Sequence, residues 1–215
     1  MSGTQVLGVG LDDEGLRVDF LFVNDALLLI NKPSGLLSVP GRGEDKQDCA
    51  IHRVQRLYPE ALIVHRLDMA TSGLLLLARG PAMQRALSMA FEGRRVHKRY
   101  EALLAGNLPL PDAGEVDLPL ITDWPNRPRQ KIDHQIGKAS LTRYRVLSRC
   151  AQQTRVELEP VTGRTHQLRV HMLALGHPII GDTLYGGQAA PRMYLHARTL
   201  KLPDWDLSFE SPPEF

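Results

Sequence analysis

The chain of 215 residues has only two cysteines, Cys49 and Cys150, set far apart. They offer neither a zinc-ligand spacing nor a disulfide framework, and two free thiols suit a reducing cytoplasm. Long hydrophobic runs are also missing. The longest aliphatic stretch, Leu74 to Ala78, falls far short of the roughly 20 residues that cross a bilayer. The N-terminus has no basic segment leading into an apolar one, so no secretion signal is expected. Neither sign of charge dominates: 26 Lys and Arg against 24 Asp and Glu leave a net charge of +2. Bulk electrostatics therefore do not announce a polyanion partner. With 43% hydrophobic and 23% charged residues, the composition is that of a globular protein of one large or two small domains, expected in the cytoplasm.

Several signatures of chemistry are absent as well. Gly8-Val9-Gly10 begins like a dinucleotide fingerprint, but Asp13 stands where the third glycine belongs and no strand-to-helix pattern surrounds it. There is no phosphate-cradling P-loop, no G-x-S-x-G elbow, and no H-x-E with P-C-x-x-C to mark a zinc deaminase. His166 and His171 are five residues apart, which suits neither one helix face nor a usual metal pair, so no metal is expected.

What is present is uneven. Arg94, Arg95, Lys98 and Arg99 cluster, as do Arg127, Arg129 and Lys131, while Asp12, Asp13, Glu14 and Asp19 gather near the N-terminus. A nearly neutral chain can thus present a basic face, although such runs also serve as solvated surface. Residues 1–17 are expected as a loose arm. Strands are expected over 18–23, 26–30, 62–64, 73–78, 96–104, 140–147, 154–158, 194–202 and 206–209. Asp48 is expected to cap a helix to about Leu57, Pro81 to open one reaching about Phe91, and apolar Leu168, Met172 and Leu175 to mark one over 165–175 that stops at Gly176. The proline-rich stretch 106–138 reads as an irregular insertion anchored by Leu118, Leu120, Ile121 and Trp124, although Trp124 could instead stack on RNA. Many short strands and few helices give a mixed α/β domain on a bent, largely antiparallel sheet.

The chemistry concentrates in His65-Arg66-Leu67-Asp68 and Thr71-Ser72-Gly73, just before the apolar strand. A turn there can hold a carboxylate at a cleft mouth, although an aspartate like Asp68 taken alone is more often a turn or cap residue. Its context changes the reading. This block closely resembles the signature of the RluA family of pseudouridine synthases. Lys32-Pro33-Ser34-Gly35-Leu36, Lys98-Arg99-Tyr100, the block from Thr162 to His171, Gly176 to Asp182 with Tyr185-Gly186, and Leu195-His196-Ala197 resemble further motifs of that family, in family order. Asp117-Leu118-Pro119-Leu120 and Asp123-Trp124-Pro125-Asn126-Arg127-Pro128 are similar to a dual-specificity branch that modifies a tRNA anticodon loop and a 23S rRNA hairpin loop.

The resemblance implies a single catalytic domain over 18–215 without an accessory S4 domain. It implies an isomerase that needs no cofactor, because nothing is oxidised and no group enters from outside. It makes Asp68 the catalytic carboxylate, as nucleophile or as base, Arg169 the arginine that pairs with it, and Tyr100 the ring that stacks on the flipped uracil. A buried carboxylate stays ionised only beside a cation, which is the physical need such an arginine meets. Arg66 resembles the residue that enters the base stack, and Leu168 and Leu195 are expected as pocket walls. Lys98, Arg99, Arg127, Arg129, Lys131 and Arg164 are expected along the RNA backbone. His171 and His177 are expected to be structural. The partner implied is a tRNA or 23S rRNA stem-loop bound by a monomer away from any membrane. A non-catalytic RNA-binding protein on the same fold and a nucleoside hydrolase are the competing classes; the hydrolase would need a second acid, and no carboxylate is paired with Asp68 in the motif.

Overall fold

A computed structural model describes residues 8–11, 17–109 and 111–215. The chain forms two compact units, one of residues 1–97 with 197–212 and one of 98–196 with 213–215. In chain order the strands are β1 (Gly8–Leu11), β2 (Arg17–Val23), β3 (Leu27–Lys32), β4 (Ala61–Ile63), β5 (Ser72–Arg79), β6 (His97–Ala105), β7 (Ala113–Asp117), β8 (Leu120–Thr122), β9 (Gln130–Ile132), β10 (Leu141–Arg149), β11 (Gln153–Pro160), β12 (Leu195–Leu202) and β13 (Leu207–Glu210). Three α-helices accompany them: α1 (Ala50–Gln55), α2 (Pro81–Glu92) and α3 (Gln167–Ala174). The result is the expected mixed α/β protein with largely antiparallel sheet.

In the first unit the strands run in the order β1-β2-β3-β5-β12, with β4 added beside β5 and β13 beside β12. Part of the arm expected to be loose is ordered, since Gly8–Leu11 pair antiparallel with Arg17–Phe20 of β2. The rest of the arm before residue 17 lies outside the described residues. The unbroken run Leu74-Leu75-Leu76-Leu77 is buried along its whole length, as a strand covered on both faces requires. Its alternate residues Leu74, Leu76 and Ala78 pack with Phe22, Leu27 and Leu29 and with Leu87 and Ala90 of α2. Each fully buried leucine contributes on the order of 1.5–3 kcal/mol, so β5 is a stiff floor for whatever precedes it. Gly73 begins that floor at φ 109°, and a Cβ there would lie 2.4 Å from the carbonyl oxygen of Ala197. Only glycine fits so close an approach.

The helices differ from expectation at their starts. Asp48 does not cap α1; its two oxygens instead take Arg53 Nε and Nη2 at 2.7 and 2.6 Å, and Cys49 stands at the N-cap. A two-point charge-assisted bond wins over a single cap bond. Pro81 opens α2 as expected. In the second unit α3 begins two residues later than the apolar spacing suggests, because His166 adopts a left-handed conformation at φ 53°. The Gln167 side chain closes that turn, accepting hydrogen bonds from Thr162 Oγ1 and the Arg164 amide and donating to Leu141 O and Thr142 Oγ1.

The second unit is built on β6-β11-β10-β7. The insertion over 106–138 is more regular than expected: β7 pairs with β10, and β8 with β9 forms a separate hairpin. Leu120 anchors that hairpin against Val170 and Tyr185. Trp124 does not anchor it, since the side chain stands exposed at the hairpin end. His171 and His177 are structural. His171 is buried between Thr142 Oγ1 and Leu118 O, where burial lowers its pKa, and His177 Nδ1 meets Ala105 O.

Candidate active site

Asp68 sits in a tight turn between β4 and β5, where the Thr71 amide donates to the Asp68 carbonyl at 3.0 Å. The backbone on both sides of it is held by the loop that follows β3. Ser38 Oγ donates to Leu67 O and accepts from Leu67 N. Ser34 Oγ donates to Ala70 O, and the Gly35 amide donates to Met69 O. Lys32, 0% exposed, places its ammonium on the carbonyls of Pro33, Leu36 and Met69 at 2.8, 2.7 and 3.2 Å. Two sequence blocks about thirty residues apart are therefore one physical device: a clamp whose backbone carries a half-buried carboxylate.

The clamp is electrostatically unusual. Burial lowers the Lys32 pKa to about 7, and the negative charge of Asp68 opposes that fall. A lysine with all three donors on carbonyls and a carboxylate nearby keeps its proton further into the neutral range than burial alone would allow. Leu67 is buried, whereas its neighbours Arg66 and Met69 are exposed. Arg66 thus projects from the same turn as Asp68, where an intruding side chain can reach solvent. His65 lies beneath, accepting from the Leu76 amide at 3.0 Å and stacked on Phe91 at 4.7 Å between ring centroids.

In the second unit Tyr100 is half-buried on β6. Lys98, two residues before it and on the same face of the strand, is half-buried as well, and burial pulls its pKa below the usual lysine range. It is a partly desolvated cation rather than a freely solvated one. Arg99, on the opposite face, is exposed and lies 3.5 Å from Glu157, which also takes Arg145. Arg169 is buried in α3, not on a solvated helix face. Its Nε and Nη2 hold the two oxygens of Asp182 at 2.7 and 2.8 Å, with Asp182 Oδ1 also accepting the Leu184 and Tyr185 amides. Leu168 and Leu195 are buried. Arg164 is exposed, with Nε donating to Ala139 O. Arg127, Arg129 and Lys131 are exposed along the β8–β9 hairpin.

The pattern described as RNA pseudouridylate synthase matches residues 26–174, which include both halves of the clamp, Tyr100 and Arg169. The dual-specificity RNA pseudouridine synthase RluA of Escherichia coli strain K12 is 50% identical over 204 residues, covering 91% of this chain and 93% of that protein. Its namesake from Pasteurella multocida strain Pm70 is 50% identical over 208 residues, covering 92% and 94%. The solved structure of human RNA pseudouridylate synthase domain containing 1 superposes with a TM-score of 0.78 at 30% identity, covering 92% of this chain and 84% of that one. The chain belongs to the RluA family of RNA pseudouridine synthases.

The enzyme's partner is accordingly RNA, and its reaction is the isomerisation of uridine within it. No helix among the described residues is long and apolar enough to cross a membrane. Sequence reasoning had no role for Lys32, Ser38 or Asp182, although Lys32 and Asp182 stand inside motifs it quoted. The available signal was chemical: an arginine in a largely apolar helix needs a buried anion, and Asp182 follows in the next motif.

Proposed function

We propose that the enzyme isomerises uridines presented in short RNA loops, a tRNA anticodon loop and a 23S rRNA hairpin loop, in the cytoplasm and as a monomer. The relatives named dual-specificity, together with the Asp123-Trp124-Pro125-Asn126-Arg127-Pro128 stretch, support this choice of substrates. The single catalytic domain over 18–215 belongs to the same proposal. The observation that carries it is the clamp around Asp68: a half-buried carboxylate on a backbone tied at Leu67, Met69 and Ala70 suits a group that must meet one atom of a substrate with little freedom.

The reaction breaks the N1–C1′ bond, turns the uracil, and joins C5 to C1′; the C5 proton leaves and N1 gains one. The base must leave its stack first, which costs a few kcal/mol. Asp68 starts the reaction at the sugar, as nucleophile at C1′ or as base. Arg169, oriented by Asp182, is the counter-charge to that carboxylate. Tyr100 stacks on the extruded uracil with its hydroxyl directed to the C5 proton, Arg66 fills the vacated stack, and Leu168 and Leu195 wall the pocket. Lys98, Arg99, Arg127, Arg129, Lys131 and Arg164 attend the phosphates, and such contacts make binding salt-sensitive.

The test uses stem-loop RNA tritiated at uracil C5. Wild-type enzyme is expected to release tritium without changing RNA mass. Asp68→Asn is expected to lose at least about 1,000-fold in rate, as replacement of a reacting group does, while still binding the RNA. Salt-sensitive binding without tritium release from either loop would leave an RNA-binding protein, not this isomerase. Release of free uracil would mean hydrolysis.

A further inference from the structure

The end of the β8–β9 hairpin carries an arrangement that the reaction does not need. Trp124 is 67% exposed, and the Arg127 guanidinium lies 3.9 Å from the centre of its indole ring. Arg127 Nε also donates to Trp124 O at 3.1 Å, so the stack is fixed to its own backbone. The turn beneath is closed by Asp123 N to Arg129 O, Asn126 N to Asp123 O, Arg129 N to Asn126 O, and Asn126 Nδ2 to Asp123 Oδ2. The hairpin base is fastened by the Gln130 amide donating to Tyr185 Oη. A large aromatic ring is therefore held rigidly in water, with one face covered by a cation.

The surroundings select the ligand. Arg127, Arg129 and Lys131 are exposed together, and among the described residues no carboxylate forms an ion pair with any of them. Of the nearby acids, Asp123 accepts from Asn126, and Asp133 accepts the Gln135 and Ile136 amides while also feeling the charge of Lys131. Ile136, also exposed, adds a second apolar surface on the next turn. A flat ring beside exposed cations that stand outside any salt bridge matches a flat base beside phosphates. Duplex bases hide their faces, whereas loop bases can be splayed out and stacked.

The geometry points to Trp124, backed by Arg127, as a stacking platform for an unpaired base of the RNA loop, distinct from the uridine that reacts. The platform contributes to choosing loops over duplexes. This inference rests on an RNA loop being the substrate.

The experiment uses full-length protein carrying Trp205→Phe, which leaves Trp124 as its one tryptophan, since the chain has two. A stem-loop RNA is expected to quench Trp124 fluorescence, whereas a blunt duplex of the same stem is not. Trp124→Ala is expected to raise Kd for the stem-loop about tenfold and leave duplex binding unaltered, with Trp124→Phe restoring most of the loss. Unchanged stem-loop affinity in a folded Trp124→Ala variant would overturn the platform, and so would equal weakening for loop and duplex. Tritium release by the wild type is scored separately. If it occurs while Trp124→Ala binds normally, the platform fails and the isomerase reading stands. If it is absent while the stem-loop alone quenches Trp124, the reverse holds.

Discussion

Ser38 and Leu67 exchange two hydrogen bonds: the Ser38 hydroxyl donates to the Leu67 carbonyl at 2.7 Å and accepts from the Leu67 amide at 3.0 Å. One buried hydroxyl thus fixes the peptide that leads into Asp68. Ser38→Ala leaves both backbone groups of Leu67 without that partner and is expected to cost about 1–3 kcal/mol in urea unfolding. Its sharper consequence is kinetic. If the tether positions Asp68, the single-turnover rate falls roughly 10- to 100-fold, as small misplacements of a catalytic group do, with RNA affinity little altered. A destabilised variant that reacts at the wild-type rate would reduce Ser38 to a packing residue.

Lys32 gives the protein a specific dependence on pH. In the fold its pKa is lowered to about 7 from 10.5 by burial. Between those values the unfolded chain keeps the proton and the folded chain releases it, so stability rises with pH through this window. Below pH 7 both states are protonated and the contribution is flat at its least favourable value. The unfolding free energy of the wild type, measured against Lys32→Met, is expected to grow by about 2 kcal/mol from pH 7 to 9. Because the Asp68 charge props up the Lys32 pKa, Asp68→Asn is expected to move the onset of the rise to lower pH, a readout that survives if Lys32→Met folds poorly. A pH-independent difference, with no shift in Asp68→Asn, would mean that Lys32 keeps its proton in the folded chain as it does in the unfolded one.

Much of this was legible in the sequence, and the rest was lost for physical reasons. The apolar run at Leu74–Leu77 and the proline at position 81 fixed β5 and α2, because burial and the missing amide act locally. The starts of α1 and α3 were not legible, since a side chain five residues on captured Asp48 and a left-handed His166 delayed α3. The strand at Ala113–Asp117 escaped notice because its alternation is weak and its partner β10 lies beyond the intervening hairpin. The motif singles out Asp68 as the candidate carboxylate, but the clamp around it was not legible, because Lys32 and Ser38 act on carbonyls and amides that a sequence does not display.

Asp182 and Arg169 are 1% and 4% exposed at their side chains, and Asp182 supplies two oxygens to the guanidinium. Asp182→Asn removes the negative half of a buried pair and is expected to cost about 3–5 kcal/mol, because the remaining charge stays desolvated. Urea denaturation measures this directly. A loss under about 1 kcal/mol would show that other contacts of Arg169 carry its charge, because exposed or redundant pairs contribute no more than that. The variant also separates placement from charge. If Asp182 orients Arg169 for catalysis, the rate at saturating RNA falls further than the fraction of unfolded protein accounts for.

Tyr185 joins α3's N-cap to the hairpin that bears Trp124. Its hydroxyl accepts the Gln130 amide at 2.7 Å and lies 2.8 Å from His166 Nδ1, while its ring packs with Leu120 and Val170. Tyr185→Phe keeps the ring and removes only the two polar links, so the loss is expected to be modest, about 1–2 kcal/mol. It is also expected to be local. Amide hydrogen exchange should quicken at Gln130 and along β8–β9, whereas the β10–β11 ladder, built from its own backbone bonds, should keep its protection. Because the rigidity of the hairpin is what keeps Trp124 and Arg127 in place, stem-loop affinity should fall with that protection and duplex affinity should not. Uniform loss of protection across β8 to β11 would show that Tyr185 supports the whole unit, and the link from His166 through Tyr185 to the hairpin would then have no separate role.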